Sequence, residues 1–250
     1  MLRKGRAGML SIVMLWAFST SPLLLASEAE LQIALALADV LRASRTEISN
    51  QQTLINDPDV GDKGLGADVI LDNVIARLDS TGKTNPLQAD RATRKGRLLQ
   101  AQLESIREIA DENQKLINKK GVGFKGFVPA VFTRLVNERF SEKVGEEAEL
   151  KVTAPVHLVR NRKARPDNWE RSIIEQNFSS PDWPLGQLHS EYSKDSGGAA
   201  FRVMVPEYYG QACLACHGSP KGETDVTGYP KEGGTLGELG GSISITLYQQ

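Results

Sequence analysis

Both cysteines of the chain stand in one five-residue stretch, Cys213-Leu214-Ala215-Cys216-His217. Two thiols reached from one turn of chain, with an imidazole directly after the second, make the attachment signature of a c-type haem. The spacing has a chemical reason: the thiols reach the two haem vinyl groups while the next ring reaches the iron. Rival readings of the same residues each lack a part. A redox dithiol has no use for the histidine and expects a βαβ setting. A disulfide between residues three apart closes a small, strained loop, and a zinc site needs a further ligand. The expectation is one covalently attached haem c held by Cys213, Cys216 and His217.

The N-terminus bears on whether such attachment is possible. Arg3, Lys4 and Arg6 precede an apolar run from Met9 to Ala26, interrupted by Ser19, Thr20, Ser21 and Pro22, and small residues follow around Ala26, Ser27 and Ala29. This is the pattern of a secretory signal peptide over residues 1–26, cleaved after Ala26 or Ala29. An uncleaved membrane anchor is the alternative, because the run is near the lower length limit for a span. Covalent haem attachment occurs in bacteria on the outer side of the cytoplasmic membrane, so the expected location is the periplasm. Loss of the leader removes three basic residues, leaving 27 basic against 31 acidic side chains and a net charge of −4. Such mild acidity argues against a nucleic-acid partner.

The remaining residues 27–250 read as a single domain in two parts, with no internal repeat. Residues 27–120 carry helical periodicity: Leu37, Leu41, Ser44, Ile48 and Ile55 follow one face, and Leu99, Leu103, Ile106, Ala110 and Ile117 another. Asn85-Pro86 with Gln88 marks a helix start, and Gly121 a stop. Residues 121–250 mix elements, with a short helix over 129–140 and a strand near 150–153. Asp167 and Glu170 form a capping box that opens a helix through Phe178. Residues 188–193 and 199–205 alternate as a hairpin, and 242–247 as a final strand. The fold class is α+β with an antiparallel sheet, and the haem motif lies between two strands on a short helix starting near Tyr209.

Around the motif, Arg160, Arg162, Lys163 and Arg165 form a basic cluster able to pair with haem propionates, a guanidinium presenting a fork of donors to a carboxylate. A solvated basic loop is the bland alternative. Residues 218–241 contain eight glycines, as in a loop whose backbone must pass close to something flat. No Gly-Lys-Ser/Thr follows, so it is no P-loop. Tyr208, Tyr209 and Tyr229 can pack on the macrocycle or serve as ordinary core.

Gly123-Phe124-Lys125-Gly126-Phe127-Val128-Pro129-Ala130, Arg134-Leu135-Val136-Asn137, Lys151-Val152-Thr153-Ala154-Pro155, Arg160-Asn161, Pro166-Asp167, Trp169-Glu170 and the haem motif occur in an order that resembles a bacterial family of haem-c-binding, PAS-like sensory domains. The resemblance spans nearly all of residues 27–250. It implies a PAS-like sheet with long N-terminal helices and a role in redox or gas sensing. In that family the second axial ligand can be a cysteine of the helical part; this chain has no cysteine outside the motif, which excludes thiolate ligation. The remaining conventional iron ligands are Met204, His157 and His189, with an open or water-bound position as the fourth option.

Two functional classes follow. A periplasmic sensor would bind a diatomic gas or change redox state and pass the change to a separate partner, which can be a membrane signalling protein. An electron-transfer cytochrome would need a firmly six-coordinate haem and a redox partner protein. No triad, paired-carboxylate pattern or second metal motif points to an enzyme.

Overall fold

The computed structural model of the chain describes residues 22–195 and 198–249. The helical layer comes first. A long helix α1 (Pro22–Asn50) is followed by the single turn α2 (Gln52–Ile55), then α3 (Ala67–Ser80), α4 (Arg94–Glu112), the turn α5 (Gln114–Ile117) and α6 (Pro129–Val144). The stripe Leu37, Leu41, Ser44, Ile48 and Ile55 is buried, as is Leu99, Leu103, Ile106, Ala110 and Ile117. Steps of three, four and seven residues return a side chain to the same helix face, and both faces close on one core.

One expected boundary moves. Asn85 caps only a single 3-10 turn, Pro86–Gln88. The helix proper begins at Arg94, with the Thr93 hydroxyl accepting from the Gly96 amide at 3.1 Å. Asp90 intervenes: its side chain accepts from the Ala92 amide and its carbonyl from Thr93, so the chain makes a turn before it can wind.

Lys125, within the Gly-Phe-Lys-Gly-Phe run, is buried and donates to the Ile55 and Val122 carbonyls at 2.6 and 2.8 Å. Lys63 donates to the Asp57 carbonyl at 2.9 Å. These ammonium groups take up backbone acceptors in the connections below α2, where regular structure offers no partner.

The sheet comprises β1 (Ala148–Thr153), β2 (His189–Asp195), β3 (Gly198–Tyr208) and β4 (Leu239–Tyr248), in the order β1-β4-β3-β2 with every pair antiparallel. Ser196 and Gly197 of the expected hairpin turn lie outside the described residues. Alternation assigns the two faces. Ala148, Leu150, Phe201, Val203, Val205, Ile243, Ile245 and Leu247 enter the core shared with α1, α3, α4 and α6. Met204 points to the opposite face, into a smaller cluster with Ile173, Ile174 and Phe178. That cluster belongs to α7 (Asn168–Ile173) and the wider π turn Ile174–Phe178 that continues it. The capping box is present: Asp167 accepts from the Glu170 amide at 2.7 Å and Glu170 from the Asp167 amide at 2.8 Å. The molecule is therefore α+β, with an antiparallel sheet and an N-terminal helical region.

Between β3 and β4 the chain makes a 3-10 turn, Gln211–Cys213, and the short helix α8 (Leu214–His217). Of the expected leader, residues 1–21 lie outside the described residues. Helix α1 includes Ser27 and Glu30, the two expected mature N-termini. Among the described residues no helix is long and apolar enough to cross a membrane.

Candidate functional site

The turn into α8 places Cys213 at the surface and Cys216 half-buried, and both are free thiols. His217 follows at the helix end. Its Nδ1 lies 2.9 Å from Glu232 Oε2. An ionised carboxylate only accepts, so Nδ1 donates, and in the neutral ring Nε2 keeps its lone pair. Nε2 has no hydrogen-bond partner among the described residues. The Tyr209 ring stacks on the imidazole with centroids 5.2 Å apart and planes 19° from parallel. The imidazole is thus held both by an edge contact and by a face contact.

The glycine-rich segment brings Glu232 to this position. Gly233 donates to the Gly218 carbonyl at 3.1 Å and Gly234 to the His217 carbonyl at 2.7 Å, folding the segment back onto α8. Gly237 donates to the Tyr209 carbonyl and Tyr209 to the Glu238 carbonyl, each at 2.9 Å. For two of these glycines the flat object is the Tyr209 ring. A Cβ on Gly234 would lie 2.5 Å from it, and one on Gly240 would lie 2.4 Å from it.

Arg160 ties the assembly together. Its Nε and Nη2 meet the two oxygens of Glu232 at 2.6 and 2.9 Å, its Nη1 meets Asp225 at 2.6 Å, and Nη2 also donates to the Cys216 carbonyl at 2.9 Å. Tyr229 lies under the guanidinium, 5.5 Å from its ring centroid. Asp225 is fully buried at the side chain and also accepts from the amides of Thr227 and Tyr229 and the Thr227 hydroxyl.

Electrostatics follow from these contacts. Burial opposes ionisation of Asp225, but the Thr227 and Arg160 hydrogen bonds outweigh it and hold the carboxyl far below its ordinary range. Glu232 is likewise lowered, burial being overcome by Arg160 and His217. Tyr209 is pushed up to about 12, first by burial and then by the charges of Glu232 and Glu238. Burial and then the Asp225 charge push the Cys216 thiol up, the reverse of the lowered pKa that a redox dithiol uses.

The other residues singled out in the sequence are dispersed. The basic cluster separates: Arg162 and Arg165 face solvent, Lys163 pairs with Glu138 of α6 at 2.6 Å, and only Arg160 turns to the motif. The 3-10 turn Arg162–Ala164 fans successive side chains apart, and the buried Asp225 and half-buried Glu232 claim Arg160. Tyr208 accepts from the Gly186 amide at 3.0 Å. Met204 has no exposure. His189 stands opposite Met204 in the hairpin, 6.0 and 6.2 Å from the rings of Trp169 and Trp183. Its Nε2 donates to Glu191 at 3.1 Å, and Asn177 donates to its Nδ1 at 3.5 Å, which occupies both ring nitrogens. His157 is exposed on the rim of a cavity of about 320 Å³, together with Pro166, Arg171 and Ile174.

Glu232, Asp225 and Glu207 are the functional candidates that sequence reasoning missed. Glu207, the last residue of β3 before its bulge, pairs with Arg42 at 2.6 Å and with Arg45, both on α1. No spacing rule links these residues to the motif; the only pointer was the glycine content around Glu232.

The donor set suits a c-type haem: two free thiols and an imidazole on one turn, with the ring already fixed through Nδ1 and Nε2 left unbonded. No curated protein and no solved structure gives a significant match to the chain. A sequence model described as Tll0287-like matches residues 25–247, nearly the whole described structure, and the chain therefore belongs to the Tll0287-like family.

Proposed function

We propose that the protein is a periplasmic c-type haem protein acting as a redox or diatomic-gas sensor through a separate partner. The family is known as a haem-binding sensory domain. The observation that carries the reading is the arrangement of His217, whose Nδ1 is tied to Glu232 while Nε2 is unbonded beside two free thiols. Haem would be held by Cys213 and Cys216, each thiol adding its sulfur and hydrogen across one vinyl double bond without an oxidant, and by His217 Nε2. When bound it supplies an iron centre for electron uptake or small-ligand binding. Tyr209 and Glu232 orient the imidazole, and Arg160 fastens the turn that carries it.

Sensing is favoured over electron transfer by the state of the candidate sixth ligands. Met204 fills a core cluster, His189 has both nitrogens engaged and His157 alone stands exposed on a cavity rim, which supports an open or weakly held position. An exposed Cys213 favours the electron-transfer reading to the extent that it sets the attachment point at the surface.

Expression in a periplasm with a cytochrome c maturation system, followed by a denaturing gel stained for haem peroxidase activity, tests attachment. Haem should remain with the denatured band, and His217→Ala should abolish maturation or change the iron spectrum. A folded, exported protein whose denatured band is colourless rejects the reading. Rapid carbon monoxide binding by the ferrous protein supports the sensor; a low-spin spectrum indifferent to carbon monoxide, lost in Met204→Ala, His157→Ala or His189→Ala, supports the electron carrier.

A further inference from the structure

We propose that Glu232 is a positioning residue that sets the reduction potential of the protein, with Arg160 as its counterweight. The inference rests on the haem reading above. A carboxylate that accepts from Nδ1 draws the ring toward imidazolate, so Nε2 becomes a stronger donor to a metal. A stronger donor favours the oxidised, more positive metal and lowers the potential. Arg160 engages both oxygens of the same carboxylate, drawing charge away from the hydrogen bond and tempering that donation. The device is built into the fold: the Gly233 and Gly234 amides anchor the loop to the Gly218 and His217 carbonyls at the end of α8, and Asp225 holds the far side of the guanidinium.

Asp225 supplies an internal control. It carries the same charge, meets the same guanidinium and has no contact with the His217 ring among the described residues. A through-space effect of removing an anion falls with distance and would itself be larger at Glu232, so the hydrogen bond is singled out by a change at the ring's own Nδ1–H, which Asp225 does not touch. A purely structural role would lower the yield of each variant without ordering their potentials.

The test is redox titration, followed optically, of haem-loaded full-length protein, in wild type, Glu232→Gln, Asp225→Asn and Arg160→Gln. Glu232→Gln keeps an acceptor of the same shape and should shift the potential upward by more than Asp225→Asn does, and it alone of these two should move the His217 Nδ1–H resonance of the reduced protein. Arg160→Gln should shift it downward. A Glu232→Gln shift equal to or smaller than that of Asp225→Asn, or a larger one with the His217 Nδ1–H resonance unmoved, overturns the inference while leaving haem attachment intact. If Glu232→Gln does not mature, Arg160→Gln decides alone: a downward shift together with a moved His217 Nδ1–H resonance supports the counterweight, and an unchanged or raised potential, or an unmoved resonance, overturns it. Absence of covalent haem in the wild type is a separate result, which rejects the underlying reading instead.

Discussion

At the scale of single residues, charge placement decides more than residue type. Arg160 stood out as one of four basic residues, yet its destination was unreadable, because its carboxylate partners come 65 and 72 residues later on a loop without periodicity. Cys213, Cys216 and His217 fall on one turn, as adjacent positions in the sequence require. Asp167 is an intermediate case, its cap visible in the sequence and its partner Arg202 not. Burial opposes its ionisation, but the Glu170 amide and the Arg202 guanidinium hold its carboxyl below the ordinary range. A carboxyl lowered in the folded state contributes stability above its unfolded pKa of about 3.9 and loses it as the pH falls through the folded value. Asp167→Asn should therefore flatten the decline of stability below about pH 4. Asp167→Ala should also lose about 1 kcal/mol at neutral pH through the missing cap. Urea melts at pH 7 and below pH 4 measure both effects, and identical acid-side slopes in wild type and Asp167→Asn would remove this group from the acid response.

At the scale of elements, regular patterns were readable and close approaches were not. Three- and four-residue spacing located the buried faces of α1 and α4, and two-residue alternation located β3 and β4, since burial of one face imposes that period. The start of α4 was displaced because a capping residue before proline satisfies a 3-10 turn as well as a helix. The glycines pointed to a close approach without naming the object approached, which for Gly234 and Gly240 is Tyr209. Gly240→Ala should cost about 1–3 kcal/mol, because its Cβ meets a ring that is nearly fully buried. Combining it with Tyr209→Ala should give a loss well below the sum of the two singles, since removing the ring removes the clash. Strict additivity in denaturant melts would mean that the glycine serves backbone freedom alone.

At the scale of the whole molecule, the end of β3 that leads into the Cys213–His217 turn is tied to the helical layer where Glu207 holds Arg42 and Arg45 of α1. Glu207→Gln should cost about 1.5–3 kcal/mol, the range for hydrogen bonds to charged groups, and should loosen α1 selectively. Hydrogen exchange should then rise in α1 before it rises in β3 and β4; uniform exchange would place the coupling elsewhere. The order β1-β4-β3-β2 has a further consequence in time. The last strand in sequence occupies an interior place, so β1 has no sheet neighbour until residues 239–247 have crossed to fill the gap. A chain delivered from its N-terminus must present Cys213, Cys216 and His217 well before that strand can close the sheet. The turn that carries these three residues therefore has an interval, lasting until β4 arrives, in which the sheet beside it is still open, and the final strand acts as the closing step of assembly.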